Sequence, residues 1–130
     1  VCQENVAGFL SQEPAFLRRM REGCGEECAF VLDVKQAVRA GHDPYEVCDA
    51  MGNKIAHVHL NDNDEKQDCL VPGKGHMDYR RLFSQLARQG YTGDGVIEVY
   101  RSNFEDVGEL VAARSLIQKL HNQMQKSLGN

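Results

Sequence analysis

Four short apolar runs, each followed by a stretch of helical periodicity, constrain this chain more than any other feature. The runs lie at 1–4, 29–33, 55–60 and 96–100. Strands separated by helix-length segments pair in parallel, because a parallel neighbour can be reached only by a crossover that a helix supplies. The punctuation between the runs agrees. Ser11 is expected to cap a helix with Pro14 in its first turn and Phe16, Leu17 and Met20 as its apolar stripe. Asp43, Pro44 and Glu46 read as N-cap, first-turn proline and capping-box acid, with Gly52 as the stop. Asp78 opens a third helix carrying Leu82, Phe83 and Leu86 and closed by Gly90. A fourth keeps helical spacing from Val107 through Leu110, Val111, Ile117, Leu120 and Met124. The fold class that follows is α/β, with four βα units.

Each apolar run finishes on a group able to bind or move a proton. Glu4 ends the first, Asp33 the second, His59 lies at the end of the third and Glu98 near the end of the fourth. Alternation of side chains along a strand groups Cys2 with Glu4, Ala29 and Val31 with Asp33, Ile55 and His57 with His59, and Val96 with Glu98 and Tyr100. Parallel strands lie about 4.8 Å apart, so the four tips can converge at the carboxyl edge of one sheet. That edge is where parallel α/β folds bind ligands. Three carboxylates and an imidazole repel one another unless something positive joins them, and a divalent cation is the simplest candidate. An oxygen-rich set with one histidine suits Mn²⁺ first, with Mg²⁺, Co²⁺ or Zn²⁺ also compatible.

Composition narrows the partners. With 42% hydrophobic residues in 130, the chain can bury a core as a single domain, 1–130. A net charge of -4 offers no basic surface for nucleic acid. No apolar run reaches the roughly 20 residues of a membrane span. Five cysteines without a paired framework fit reduced thiols and a cytoplasmic location. The pair Cys24 and Cys28 has no second pair at zinc-ribbon distance. Cys2 and Cys69 have no evident base partner and are read as packing residues.

Five motifs occur in order: QENVAGF, VLDVKQA followed by AGHDP, HVHLND, DCLVPGKG and GVIEVY. In that order and spacing the chain resembles the xylose isomerase-like TIM barrels, a superfamily of sugar phosphate isomerases and epimerases, inosose dehydratases and the endonuclease IV type of apurinic endonuclease. The resemblance covers essentially the whole chain but matches only strands five to eight of a (β/α)8 barrel. A complete barrel takes about 250 residues. Together with a start at VCQEN rather than methionine, this leads us to expect half of a TIM barrel, part of a longer protein.

In the epimerase branch one metal is held by Glu, Asp, His and Glu at those strand ends, which implies Glu4, Asp33, His59 and Glu98 as ligands here. The implied activity is metal-dependent isomerisation or epimerisation of a keto sugar or sugar phosphate. The metal acidifies the proton between carbonyl and hydroxyl and stabilises an enediolate, while Glu4 and Glu98, on opposite sides of the sugar, remove and return that proton.

Departures from the family pattern refine this. Gln36 stands where a histidine usually follows the strand-six aspartate, and is expected to bind a sugar hydroxyl instead of metal. Asp68-Cys69-Leu70 lacks the histidine that gives the endonuclease branch further zinc ligands. Glu65 stands where many ketose epimerases place an arginine. Asp62 and Lys74, the latter between Gly73 and Gly75, are expected at the substrate. His57 is expected to be a hydrogen-bonded interior histidine. The alternatives are an endonuclease IV-like enzyme and a noncatalytic half-barrel used for binding or assembly. Four strands taken from a closed barrel leave two open edges, so the missing N-terminal half, or a second copy in a homodimer, is the expected partner, and the fragment alone is expected to be inactive.

Overall fold

The computed structural model of the chain describes residues 1–129. Strands β1 (Gln3–Glu4), β2 (Phe30–Asp33), β3 (Ile55–Leu60) and β4 (Gly95–Ile97) form one sheet in the order β1-β2-β3-β4. Every pairing is parallel. Helices α1 (Pro14–Cys24), α2 (Val34–Arg39), α3 (Pro44–Met51), α4 (Tyr79–Arg88) and α5 (Val107–Leu128) occupy the connections and the C-terminal end. Among the described residues no helix is long and apolar enough to cross a membrane.

The core lies between one face of the sheet and the helices. Phe30, Leu32, Val58 and Leu60 are buried there with Leu17 of α1, Val47 and Met51 of α3, and Leu82 and Leu86 of α4. The register between β2 and β3 shifts after Phe30, which pairs with Ile55, while Val31 pairs with His57. Ile55 is therefore buried with Phe30 in the helix-covered layer, where strict alternation would have placed it beside His59. From His57 onward the alternation holds: Asp33 is level with His59, and His59 with Val96.

Capping explains most helix starts. Asp43 accepts from Tyr45 N, Asp78 from Arg81 N, and Asp106 forms a capping box with Glu109. Ser11 does not cap α1. It lies in a 3-10 turn (Leu10–Gln12), its hydroxyl accepting from Val6 N at 3.2 Å, and Glu13 takes the N-cap position without a side-chain bond. The helix α2 was not expected as an element of its own. Six residues are too few to show periodicity, and it begins directly from β2 because Asp33 is at once the last strand residue and an N-cap accepting from Gln36 N. The fourth strand is shorter than its apolar run. Glu98 N donates to Leu60 O, and Tyr100 opens a 3-10 turn (Arg101–Asn103), which takes it out of the strand.

Candidate active site

Staggered register brings the four strand tips together. Glu4 is level with Val31, two residues short of Asp33; Asp33 is level with His59; His59 is level with Val96, two residues short of Glu98. This diagonal advance is what the tilt of a barrel wall requires. One ligand atom from each of Glu4, Asp33, His59 and Glu98 lies within 4.8 Å of the others. His59 Nδ1 is the hub, 3.2 Å from Glu98 Oε2, 3.3 Å from Asp33 Oδ2 and 3.6 Å from Glu4 Oε1.

Asp33 is the anchor. It is 0% exposed, and both its backbone groups pair with one side chain: Asn5 Nδ2 donates to Asp33 O at 2.9 Å and Asp33 N donates to Asn5 Oδ1 at 2.8 Å. The amide of Asn5 thereby extends the β1–β2 ladder past the end of β1. Asn61 Nδ2 adds contacts to Asp33 Oδ1 at 3.3 Å and Glu98 O at 3.4 Å. Glu98, just beyond β4, is held less firmly, and its side chain is 46% exposed.

Lys35 is the residue the sequence reading missed. Only 4% exposed, it bends back from the first turn of α2 so that Nζ lies 2.6 Å from Asp33 Oδ2 and forms a close ion pair with Glu98 Oε2. The ionisation states follow. Burial, reinforced by the Asp33 carboxylate, raises the Glu4 carboxyl above its ordinary value. Burial pushes Asp33 upward as well, but hydrogen bonds with Glu98 and Lys35 outweigh it and hold this carboxyl low. Burial alone would lower the Lys35 ammonium, yet Asp33 and Glu98 keep it above the usual lysine value.

The donor set fits a divalent cation. Three carboxylate oxygens and one imidazole nitrogen converge within a coordination-sized space, and the buried Asn61 Oδ1 at its rim has no hydrogen-bond partner. Even with Lys35 present, three carboxylates leave two negative charges unbalanced when His59 is neutral.

The remaining expected residues are placed differently. Gln36 adjoins the cluster, but its Oε1 accepts from Ala7 N at 3.1 Å and so ties the loop after β1. Asp62 is turned toward its own loop. It is buried, and its carboxylate accepts from the backbone N–H of Asn63, Gly73 and Met77, each at 2.9 Å. Lys74 pairs with Glu109 at the start of α5. His57 stacks edge-on against His59 with ring centroids 5.1 Å apart, and among the described residues it makes no hydrogen bond.

A family model described as xylose isomerase-like TIM barrel matches residues 1–122. The chain belongs to that family. An uncharacterised protein of Mycobacterium tuberculosis is 30% identical over 87 residues, 65% of this chain and 31% of that protein. Fructoselysine 3-epimerase of Shigella flexneri is 35% identical over 52 residues, 39% of this chain and 19% of that enzyme. A solved L-ribulose 3-epimerase superposes with a TM-score of 0.73 at 19% identity, covering 98% of this chain and 49% of that one. The chain thus spans about half the length of that solved relative, and its sheet with alternating helices matches part of a TIM barrel.

Proposed function

We propose that this chain forms the metal- and proton-handling side of a sugar epimerase or isomerase acting on a keto sugar. The convergence of Glu4, Asp33, His59 and Glu98 carries the reading. The 3-epimerase names of a relative and of a solved neighbour support a ketose-type substrate. A divalent cation, Mn²⁺ first, held by those four residues would polarise a carbonyl and its neighbouring hydroxyl.

The chain's own groups do the rest. Glu4 and Glu98 reach His59 Nδ1 from different strands at opposite edges of the sheet, which suits a proton donor and a proton acceptor on two sides of a bound sugar. Glu98, with its side chain 46% exposed, is the carboxylate suited to take a proton from carbon. Glu4, on the other side, is suited to return a proton to the opposite face. Return to the same carbon inverts it; delivery to the neighbouring carbon exchanges ketose and aldose. Gln36 Nε2, free of protein partners among the described residues, offers a donor to a sugar hydroxyl. The other half of the barrel would supply the opposite wall.

The test is exchange of carbon-bound hydrogen for deuterium, followed by NMR over a panel of keto sugars, using the full-length protein with Mn²⁺. Glu4→Gln and Glu98→Gln are each expected to slow exchange by about 10³-fold. Undiminished exchange in both variants overturns the reading.

A further inference from the structure

Lys35 Nζ rests on Asp33 Oδ2 and Glu98 Oε2, the same two oxygens that approach His59 Nδ1. Any cation taking these oxygens together with the imidazole meets the ammonium already on them. We propose that Lys35 is a built-in competitor of the metal: it closes the site when no metal is bound and must leave both carboxylates when a divalent cation enters. This inference rests on the metal-holding reading above.

The site's construction favours such an exchange. Three carboxylates at the end of one sheet would force the tips apart, and one internal positive charge lets them assemble without metal. The two partners of Lys35 are held unequally. Asp33 is 0% exposed and fixed by Gln36 N, Asn5 and Asn61, whereas Glu98 lies past its strand with its side chain 46% exposed. Opening therefore proceeds at Glu98, which can turn from the ammonium without disturbing β2. The departing Nζ has an aromatic face on its way out, since the Tyr100 ring centroid lies 5.8 Å from it.

A charge that stabilises the empty site must weaken the filled one. Titrating Mn²⁺ alone into the intact chain by calorimetry is expected to give at least tenfold tighter binding for Lys35→Met than for wild type, a difference of about 1.4 kcal/mol. Lys35→Arg, which keeps the charge, is expected to stay near wild type. The metal-free Lys35→Met protein should melt below wild type and gain more from Mn²⁺.

A second measurement needs no variant. Acetylation of Lys35 in the wild-type chain, followed by mass spectrometry, is expected to be slow without metal and several-fold faster with saturating Mn²⁺. Equal Mn²⁺ affinity in wild type and Lys35→Met, or undiminished protection of Lys35 in the metal-bound protein, overturns the competition while leaving the proposed function standing. Absence of Mn²⁺ binding in both proteins overturns both. Binding by Lys35→Met alone supports the competition at its strongest.

Discussion

The ends of β1 and β2 set two carboxyls on opposite courses. Asp33 titrates low in the folded chain, so its contribution to stability is present above the ordinary aspartate value and lost as pH falls through the lower folded one. Glu4 is the reverse. Its folded carboxyl titrates above the unfolded one, so the stability it contributes is present in acid and lost as pH rises through the raised value. Where Glu4 is ionised and no metal is bound, its burial, and then the nearby Asp33 carboxylate, oppose folding. Glu4→Gln is therefore expected to raise the metal-free melting temperature at pH 7 by about 3 °C, with the gain fading toward pH 4. With Mn²⁺ added the order reverses, because the variant has lost a ligand. Scanning calorimetry at both pH values, with and without Mn²⁺, reads all of this. A variant less stable than wild type in neutral, metal-free buffer contradicts the assignment. This is the behaviour expected of a site built for chemistry rather than for stability.

Elements decide which parts of this were legible in the sequence. The strand tips could be read because alternation and apolar runs are written in side chains. Lys35 could not, because its return to Asp33 depends on α2 starting without an intervening loop, and a helix of six residues leaves no periodic signature. The role of Asp62 in its loop was hidden for a related reason. Its partners are backbone N–H groups of Gly73 and Met77, and backbone donors look alike at every position of a sequence. The loop from 62 to 77 is thus held from inside by one carboxylate, with Asp62 and Leu70 also exchanging backbone bonds at 2.8 and 2.7 Å. The glycines of PGKG serve that knot. Gly73 adopts φ +97°, and a Cβ on Gly75 would come within 2.2 Å of Asn63 O. Gly75→Ala is expected to cost about 2 kcal/mol in urea unfolding, whereas Lys74→Ala, removing an exposed ion pair, should leave the unfolding midpoint nearly unchanged. Equal costs would mean that the loop is not organised around Asp62.

For the whole molecule the question is what its open sides do. The sheet has two edges, β1 and β4, and each carries a catalytic candidate at its tip. Its inner face is uncovered, as Val96 in the middle of β4 is half exposed. Exposed apolar residues flank both edges: Phe9 and Leu10 after β1, and Val107 and Val111 along the start of α5. A solved relative is about twice as long. Two copies of this chain can satisfy one another, since β4 of one copy and β1 of the other are both parallel strands of the same tilt, and a twofold axis makes both junctions alike. We expect the isolated chain to be a dimer by light scattering coupled to size exclusion. Val96→Asp, on the inner face beside the β4 junction, should shift it toward monomer without unfolding α1 to α4. A monomer at every concentration, with a cooperative melt and no aggregation, would show that the open edges are tolerated and that the sheet's own curvature suffices to hold Glu4 and Glu98 in reach of His59.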